Sequence, residues 1–208
     1  MATLDAVANR VRIKVPGCPE PIIRDAIIQA ARDFCEQTRA ITQEFTLVTA
    51  ANVALNDLAA YLTAGTRAVR IEYVERDVNP YGLFPSSKPE FEENSDLRQS
   101  GDPQKFYLDN NAIVLGPIPY QVENLSCSVA IVPTEDATTI PDVLDNDWRL
   151  AIAAGAAALL LSMPKQSWAD INAAAIEAAT FQAGIDRAIK RRDIDGTTGR
   201  VRSYPSWC

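Results

Sequence analysis

The hydrophobic period of this chain changes twice along its length, and that change restricts the fold more than any other feature. From Pro21 to Thr38 apolar doublets recur every four residues: Ile22/Ile23, Ala26/Ile27, Ala30/Ala31 and Phe34/Cys35. Arg24, Asp25, Gln29, Arg32, Asp33 and Glu36 fall between them, which is the 3.6-residue stripe of an amphipathic helix. In the middle of the chain the period becomes two, and after Pro141 it returns to 3.6. A helical part interrupted by a β part follows directly, because a helix-period stripe and a strand-period stripe cannot exchange roles.

The start of the first helix lies in Pro16-Gly-Cys-Pro-Glu-Pro21, with Pro21 suited to the first helical turn. In the middle, Glu44–Val48 and Val69–Tyr73 alternate as half-buried strands do, with a short helical turn expected around Leu55–Leu62. Residues 79–103 are rich in Pro, Gly, Ser, Asp and Glu and have no period, so they read as a long exposed loop. Lys105–Leu108 and Ala112–Leu115 flank Asp109-Asn110-Asn111, the composition of a hairpin turn. Leu125, Cys127, Val129 and Ile131 alternate with Ser126, Ser128 and Ala130 and give a fifth strand.

After Pro141, Trp148, Ile152, Ala156, Leu159 and Met163 form one stripe, and alanines with Gly155 crowd the rest. Gly155 marks close helix packing, either within a subunit or between subunits. Pro164 ends this helix. Ser167-Trp-Ala-Asp170 has the form of a capping box and opens the last helix, which is expected to turn Trp168, Ile171, Ala175, Ala178, Phe181, Ile185 and Ile189 inward. The expected fold is therefore α+β. A helical bundle (1–40 and 141–192) has one N-terminal and two C-terminal long helices; it carries an inserted small, mainly antiparallel β domain (41–140, with the 79–103 loop) and an extended C-terminal tail (193–208).

The chemistry is narrowed by what is missing. There is no histidine among the 208 residues, which removes Ser-His-Asp and Cys-His catalysis and the paired-histidine zinc helix. Cys18, Cys35, Cys127 and Cys208 are too far apart in sequence for a zinc ribbon or a CxxC redox pair. Cys35 and Cys127 sit in apolar patterns and read as buried thiols of a protein made in a reducing cytoplasm. The acidic run Glu90-Phe-Glu-Glu-Asn-Ser-Asp96 lacks the spacing of a calcium loop, and Asp193-Ile-Asp195-Gly196 lacks its later ligands, so no metal site and no cofactor is expected. The most apolar run, Leu150–Met163, is too short to span a bilayer, and no membrane partner is expected.

Charge is uneven. Residues 186–208 hold six basic and three acidic residues, whereas residues 1–185 carry a net charge of −10. An acidic body repels nucleic acid, while a basic tail ending Arg200-Val-Arg-Ser-Tyr-Pro-Ser-Trp-Cys208 has the arginines and aromatics of a partner-binding anchor.

Several signatures, taken in order, resemble the head-to-tail adaptor (connector) proteins of short-tailed bacteriophages. They are Val15-Pro-Gly-Cys-Pro-Glu-Pro21 leading into Ile22–Arg39; Asp102-Pro-Gln-Lys-Phe-Tyr107 before Ile113-Val-Leu-Gly-Pro-Ile-Pro119; Ile140-Pro-Asp-Val-Leu144 before Trp148–Leu161; and Met163-Pro-Lys-Gln-Ser-Trp168 before a helix containing Phe181. The resemblance covers roughly residues 10–192. It implies a virion structural protein with no catalytic site. In that family a twelve-copy ring in the virion neck, assembled in the host cytoplasm, joins the portal protein to a tail tube or nozzle protein. DNA passes through the ring's channel during genome ejection without specific binding. The resemblance also implies portal contact through the C-terminal segment, which assigns Arg191, Arg192, Arg200, Arg202, Tyr204 and Trp207 as portal-binding residues. The alternative that composition leaves open is a carboxylate-dependent hydrolase, which needs two acids converging in a cleft.

Overall fold

A computed structural model describes residues 2–76 and 82–194, and the chain in it is α+β, as the alternating periods require. It divides into two compact units, one drawn from residues up to Ala40 and from Thr139 onward, the other spanning Ile41–Thr138.

The first unit is built from α1 (Asp5–Lys14), α2 (Glu20–Thr38), α4 (Asp142–Leu161) and α5 (Ile171–Asp193), with a two-residue antiparallel pair of β1 (Ala2–Thr3) and β11 (Thr139–Ile140). Helix α1 is an element the sequence reading does not assign. Its signal is present nonetheless: Leu4, Val7, Ala8, Val11 and Val15 recur at helical spacing and every one is buried. Ion pairs tie it down, Arg12 to Glu20 at 2.5 Å, Arg24 to Asp5 at 2.8 Å and Lys14 to Glu177 of α5 at 2.5 Å. Helix α2 begins where its prolines place it and buries Ile23, Ile27, Ala30, Ala31, Phe34 and Cys35. It stops at Arg39, whose φ of 51° is left-handed, and the Thr38 hydroxyl donates back to the Phe34 carbonyl at 2.7 Å.

Helices α4 and α5 pack antiparallel at very short range. A Cβ on Gly184 would lie 2.5 Å from the Ala151 Cβ, so only glycine lets the two backbones meet there. The cap of α5 is Asp170 rather than Ser167. The Asp170 carboxylate accepts from the backbone N–H of Asn172 and Ala173, both at 3.0 Å, so the helix starts three residues later than a Ser167 cap would give.

The second unit holds two larger sheets. In one, β10 (Asn124–Pro133) lies between β2 (Thr42–Val48) and β4 (Thr66–Arg76), antiparallel to both. As the central strand, β10 buries Leu125 and every residue from Cys127 to Pro133, the small Ser128 and Ala130 included. In the other, β3 (Leu55–Asp57), β8 (Ala112–Gly116), β7 (Lys105–Asp109) and β5 (Phe84–Pro85) follow in that order, the last pair parallel. The β7–β8 hairpin turns at Asn110 and Asn111 as expected, with Asn110 at φ 55°. The Asn111 side chain accepts the Ala68 N–H at 2.9 Å, which joins the hairpin to β4.

Two expectations for this unit are corrected. Residues 55–57 pair with β8 as a strand, and the following turn is a compact one in which Tyr61 and Leu62 both donate to the Leu58 carbonyl. The segment expected as a long loop carries regular elements of its own at residues 82–103. It contains β5, α3 (Lys88–Glu93), a 3₁₀ turn at Ser95–Arg98 and a short parallel pair of β6 (Ser100–Gly101) with β9 (Ile118–Pro119). Its anchors are Phe91 and Leu97, buried with Val114, and Tyr107 meets Phe91 edge-on at 4.7 Å. Gly116 is the floor of this contact, since a Cβ there would lie 2.4 Å from the Phe91 ring.

Candidate functional site

The first unit exposes an apolar groove. Its walls come from α2, α4 and α5: Ala30, Gly155, Leu159, Ile171, Ala178 and Phe181 line a space of about 420 Å³. Three of these are positions the sequence places in an inward stripe, and the structure turns two of them outward. Ile171 is 72 % exposed and Ala178 is exposed, while Phe181 is half-buried against Phe34 with ring centroids 6.3 Å apart. Ala175, expected inward, is exposed beside them, and Trp168 is only half-buried. Ile185 is buried as expected, and the other inward residues of α5 are Ala174, Gly184 and Ala188. A helix this apolar carries two stripes, and periodicity alone does not say which one the chain covers itself.

Asp33 is the one charged residue of the groove lining. Burial pushes its carboxyl above the ordinary aspartate range, and the hydrogen bond it accepts from the Gln29 amide at 2.8 Å works against that shift. Gly155 is required where the groove is narrowest, because a Cβ would lie 2.8 Å from the Phe181 ring and 3.1 Å from Ala30. The close packing expected at Gly155 is thus met inside one subunit.

The basic end of α5 is the second feature. Lys190, Arg191 and Arg192 occupy its last turn, where cations complement the helix dipole. Arg191 pairs with Asp147 at 2.7 Å and lies over the Trp148 ring, 5.8 Å from its centroid. Trp148 itself is buried against Phe34, so it belongs to the core. Arg192 donates to the Thr38 carbonyl at 3.1 Å and to Asp193 at 2.8 Å. The other four residues expected to share a binding role, Arg200, Arg202, Tyr204 and Trp207, lie outside the described residues.

In the second unit Arg76 is gripped by two carboxylates. It meets Glu123 in bidentate fashion at 2.7 and 2.8 Å and Asp102 at 3.0 Å. Burial works to lower the Arg76 pKa, and the hydrogen bonds to Glu123 and Asp102 more than offset it, leaving it raised. The recess beside this cluster, about 260 Å³, is lined by Arg76, Leu83, Phe84 and Asp102. Both carboxylates of this cluster are taken up by the Arg76 guanidinium, and the groove on the first unit presents a single carboxylate, Asp33. The buried thiols carry no nucleophile either: burial pushes Cys35 and Cys127 each up to about 12.

Among the described residues no group of His, Cys, Asp and Glu could hold a metal ion, and no helix is long and apolar enough to cross a membrane. Residues 2–203 match the family model described as SU10 adaptor protein. The chain belongs to the SU10 adaptor family. The match takes in nearly the whole chain, and it agrees with the head-to-tail adaptor resemblance carried by the ordered signatures. It also extends beyond residue 192 as far as Ser203, taking in Arg200 and Arg202. No curated protein matches the chain.

Proposed function

We propose that this adaptor works by assembly, as a ring of twelve copies in the virion neck that joins the portal to the tail and leaves a channel for DNA. The observation that carries this reading is the adaptor-family match over residues 2–203 of a chain that exposes an apolar, helix-lined groove. Portal attachment is assigned to the last turn of α5 and the segment after it, through Arg191, Arg192, Arg200, Arg202, Tyr204 and Trp207. Arg191 and Arg192 would keep their internal partners while their exposed edges meet a negative surface. Twelve tails acting together multiply a weak single attachment into a firm one. DNA would pass the ring without sticking, because an acidic body releases no phosphate counterions.

The test is the mass of the purified protein, alone and mixed with portal rings. Twelve copies bound per portal ring, lost on removal of residues 195–208 while the circular dichroism of the domain is retained, is the expected result. A monomer that ignores the portal would overturn the reading.

A further inference from the structure

Ile13 is the most exposed large apolar residue among the described residues, at 83 %. It stands near the end of α1 on the side away from the core, because Val7, Ala8 and Val11 take the buried side. Arg10 is exposed one turn earlier, and residues three apart on a helix are neighbours. The other two cations of α1 are occupied, Arg12 by Glu20 and Lys14 by Glu177. Arg10 makes no ion pair among the described residues. Helix α1 thus presents a knob: a branched apolar side chain with an unpaired cation beside it.

The groove between α2, α4 and α5 has the matching features. Its small residues, Ala30, Gly155 and Ala178, leave about 420 Å³ beside the larger Leu159, Ile171 and Phe181. That is room for one branched aliphatic side chain and the stem of a neighbouring cation. The groove's single charge, the Asp33 carboxylate, is half-buried and hydrogen-bonded by an uncharged group, the Gln29 amide at 2.8 Å. A carboxylate that loses more water in an interface needs a cation facing it. Val143 and Leu150, also exposed, are poorer matches, because the cations near them, Arg149 and Arg191, are already paired with Asp145 and Asp147.

Knob and groove lie on different flanks of the helical unit. Lys14 holds the end of α1 to Glu177, which sits roughly a third of a turn around α5 from the stripe Ile171, Ala175 and Ala178. The exposure of Ile13 shows that it does not fill the groove of its own chain. A contact made from one flank of a copy to the other flank of the next is heterologous, the kind that closes into a ring.

We propose that copies of this chain join head to tail, with Ile13 of one copy seated in the α2–α4–α5 groove of the next and Arg10 set against Asp33. The pairing names the copy-to-copy contact of the proposed ring, and it rests on that reading only for the number of copies.

The test uses the full chain without portal, at high protein concentration. Cys18→Ser and Cys208→Ser remove the thiols that are not buried in the described core, leaving Cys35 and Cys127. One variant then carries Ile13→Cys and the other Ala175→Cys or, separately, Ala178→Cys, all at exposed positions. After mixing, mild oxidation and peptide mass mapping, links from position 13 to the groove position should predominate over 13–13 and groove–groove links. In the otherwise unmodified chain, Ile13→Asp should weaken self-association in sedimentation equilibrium at least about tenfold, the loss expected when one isoleucine is no longer buried. Arg10→Glu in the knob variant should lower the yield of links, and Asp33→Lys in the groove variant should restore it. No link, links between like positions only, or self-association unchanged by Ile13→Asp would overturn the proposal; absent recovery by Asp33→Lys would overturn the charge pairing. Twelve copies assembling on the portal as well with Ile13→Asp as without it would overturn this contact and leave the ring. Links from 13 to the groove in a chain that ignores the portal would overturn the ring and leave this contact.

Discussion

The two units hold their cores together by opposite means. In the helical unit the closest contacts are made by removing side chains: Gly155 and Gly184 let α4 approach Phe181 and α5 approach Ala151. In the β unit they are made by inserting side chains: Phe91 drops onto Gly116, and Arg76 is clamped between Glu123 and Asp102. The first method leaves a mostly apolar surface between α2, α4 and α5 that stays open as the groove. The second consumes its polar groups internally.

The comparison is broken most forcefully at the clamp. Arg76→Ala leaves Glu123, whose residue exposure is 6 %, as an uncompensated buried charge, with an expected cost of ~3–5 kcal/mol in denaturant unfolding. The double replacement Arg76→Met with Glu123→Leu should recover most of that loss, because the penalty comes from the orphaned partner. Gly184→Val should be next, at ~1–3 kcal/mol, by forcing α4 and α5 apart, whereas Ala178→Val on the open groove should change stability by under about 0.5 kcal/mol. If the two valines cost the same, the contrast between seam and groove fails. Asp170→Ala should cost about 1 kcal/mol by leaving the Asn172 and Ala173 N–H groups without their acceptor.

The smallest effect concerns pH. Asp33 has a raised carboxyl pKa in the folded chain, so the native state holds that proton more tightly than the unfolded state does. Its contribution is therefore most favourable below the unfolded aspartate pKa and is lost as pH rises through the folded value. Asp33→Asn should remove that component, seen as a flatter dependence of unfolding midpoint on pH from about 4 upward. A profile identical to the parent's would show that Asp33 is fully hydrated in solution.

Much of this was legible from residue order. The doublets of α2, the alternation of β10, the Asn110 turn and the burial of Cys35 and Cys127 each follow from a pattern that one physical rule interprets. Other parts were not, for reasons the structure makes plain. The segment 82–103 is polar at most positions, and its order comes from Phe91 and Leu97 finding a pocket made by residues far along the chain, which no local period reports. Ser87-Lys-Pro-Glu90 was the available local sign, since the Ser87 hydroxyl accepts the Glu90 N–H at 3.4 Å to start α3. On α5 the stripe holds at Ile185 but fails at Ile171, Ala175 and Ala178, which are exposed, because alanine is as compatible with the inside of a subunit as with its surface. Of the six residues assigned to partner binding, Arg191 and Arg192 proved to have internal roles as well, at Asp147, Trp148 and Thr38, that sequence could not disclose.

The antiparallel pairing of α4 and α5 has a mechanical consequence. Contacts are spread along the whole of α5, from Asp170 N–H on the Leu161 carbonyl, through Gly184 on Ala151, to Arg191 on Asp147. A pull on the end of α5 directed along its axis therefore strains these contacts simultaneously, in shear. A pull across the axis would open them one after another, like a zipper. If the tail is the tether, tension along the helix is the direction in which this subunit resists rupture best.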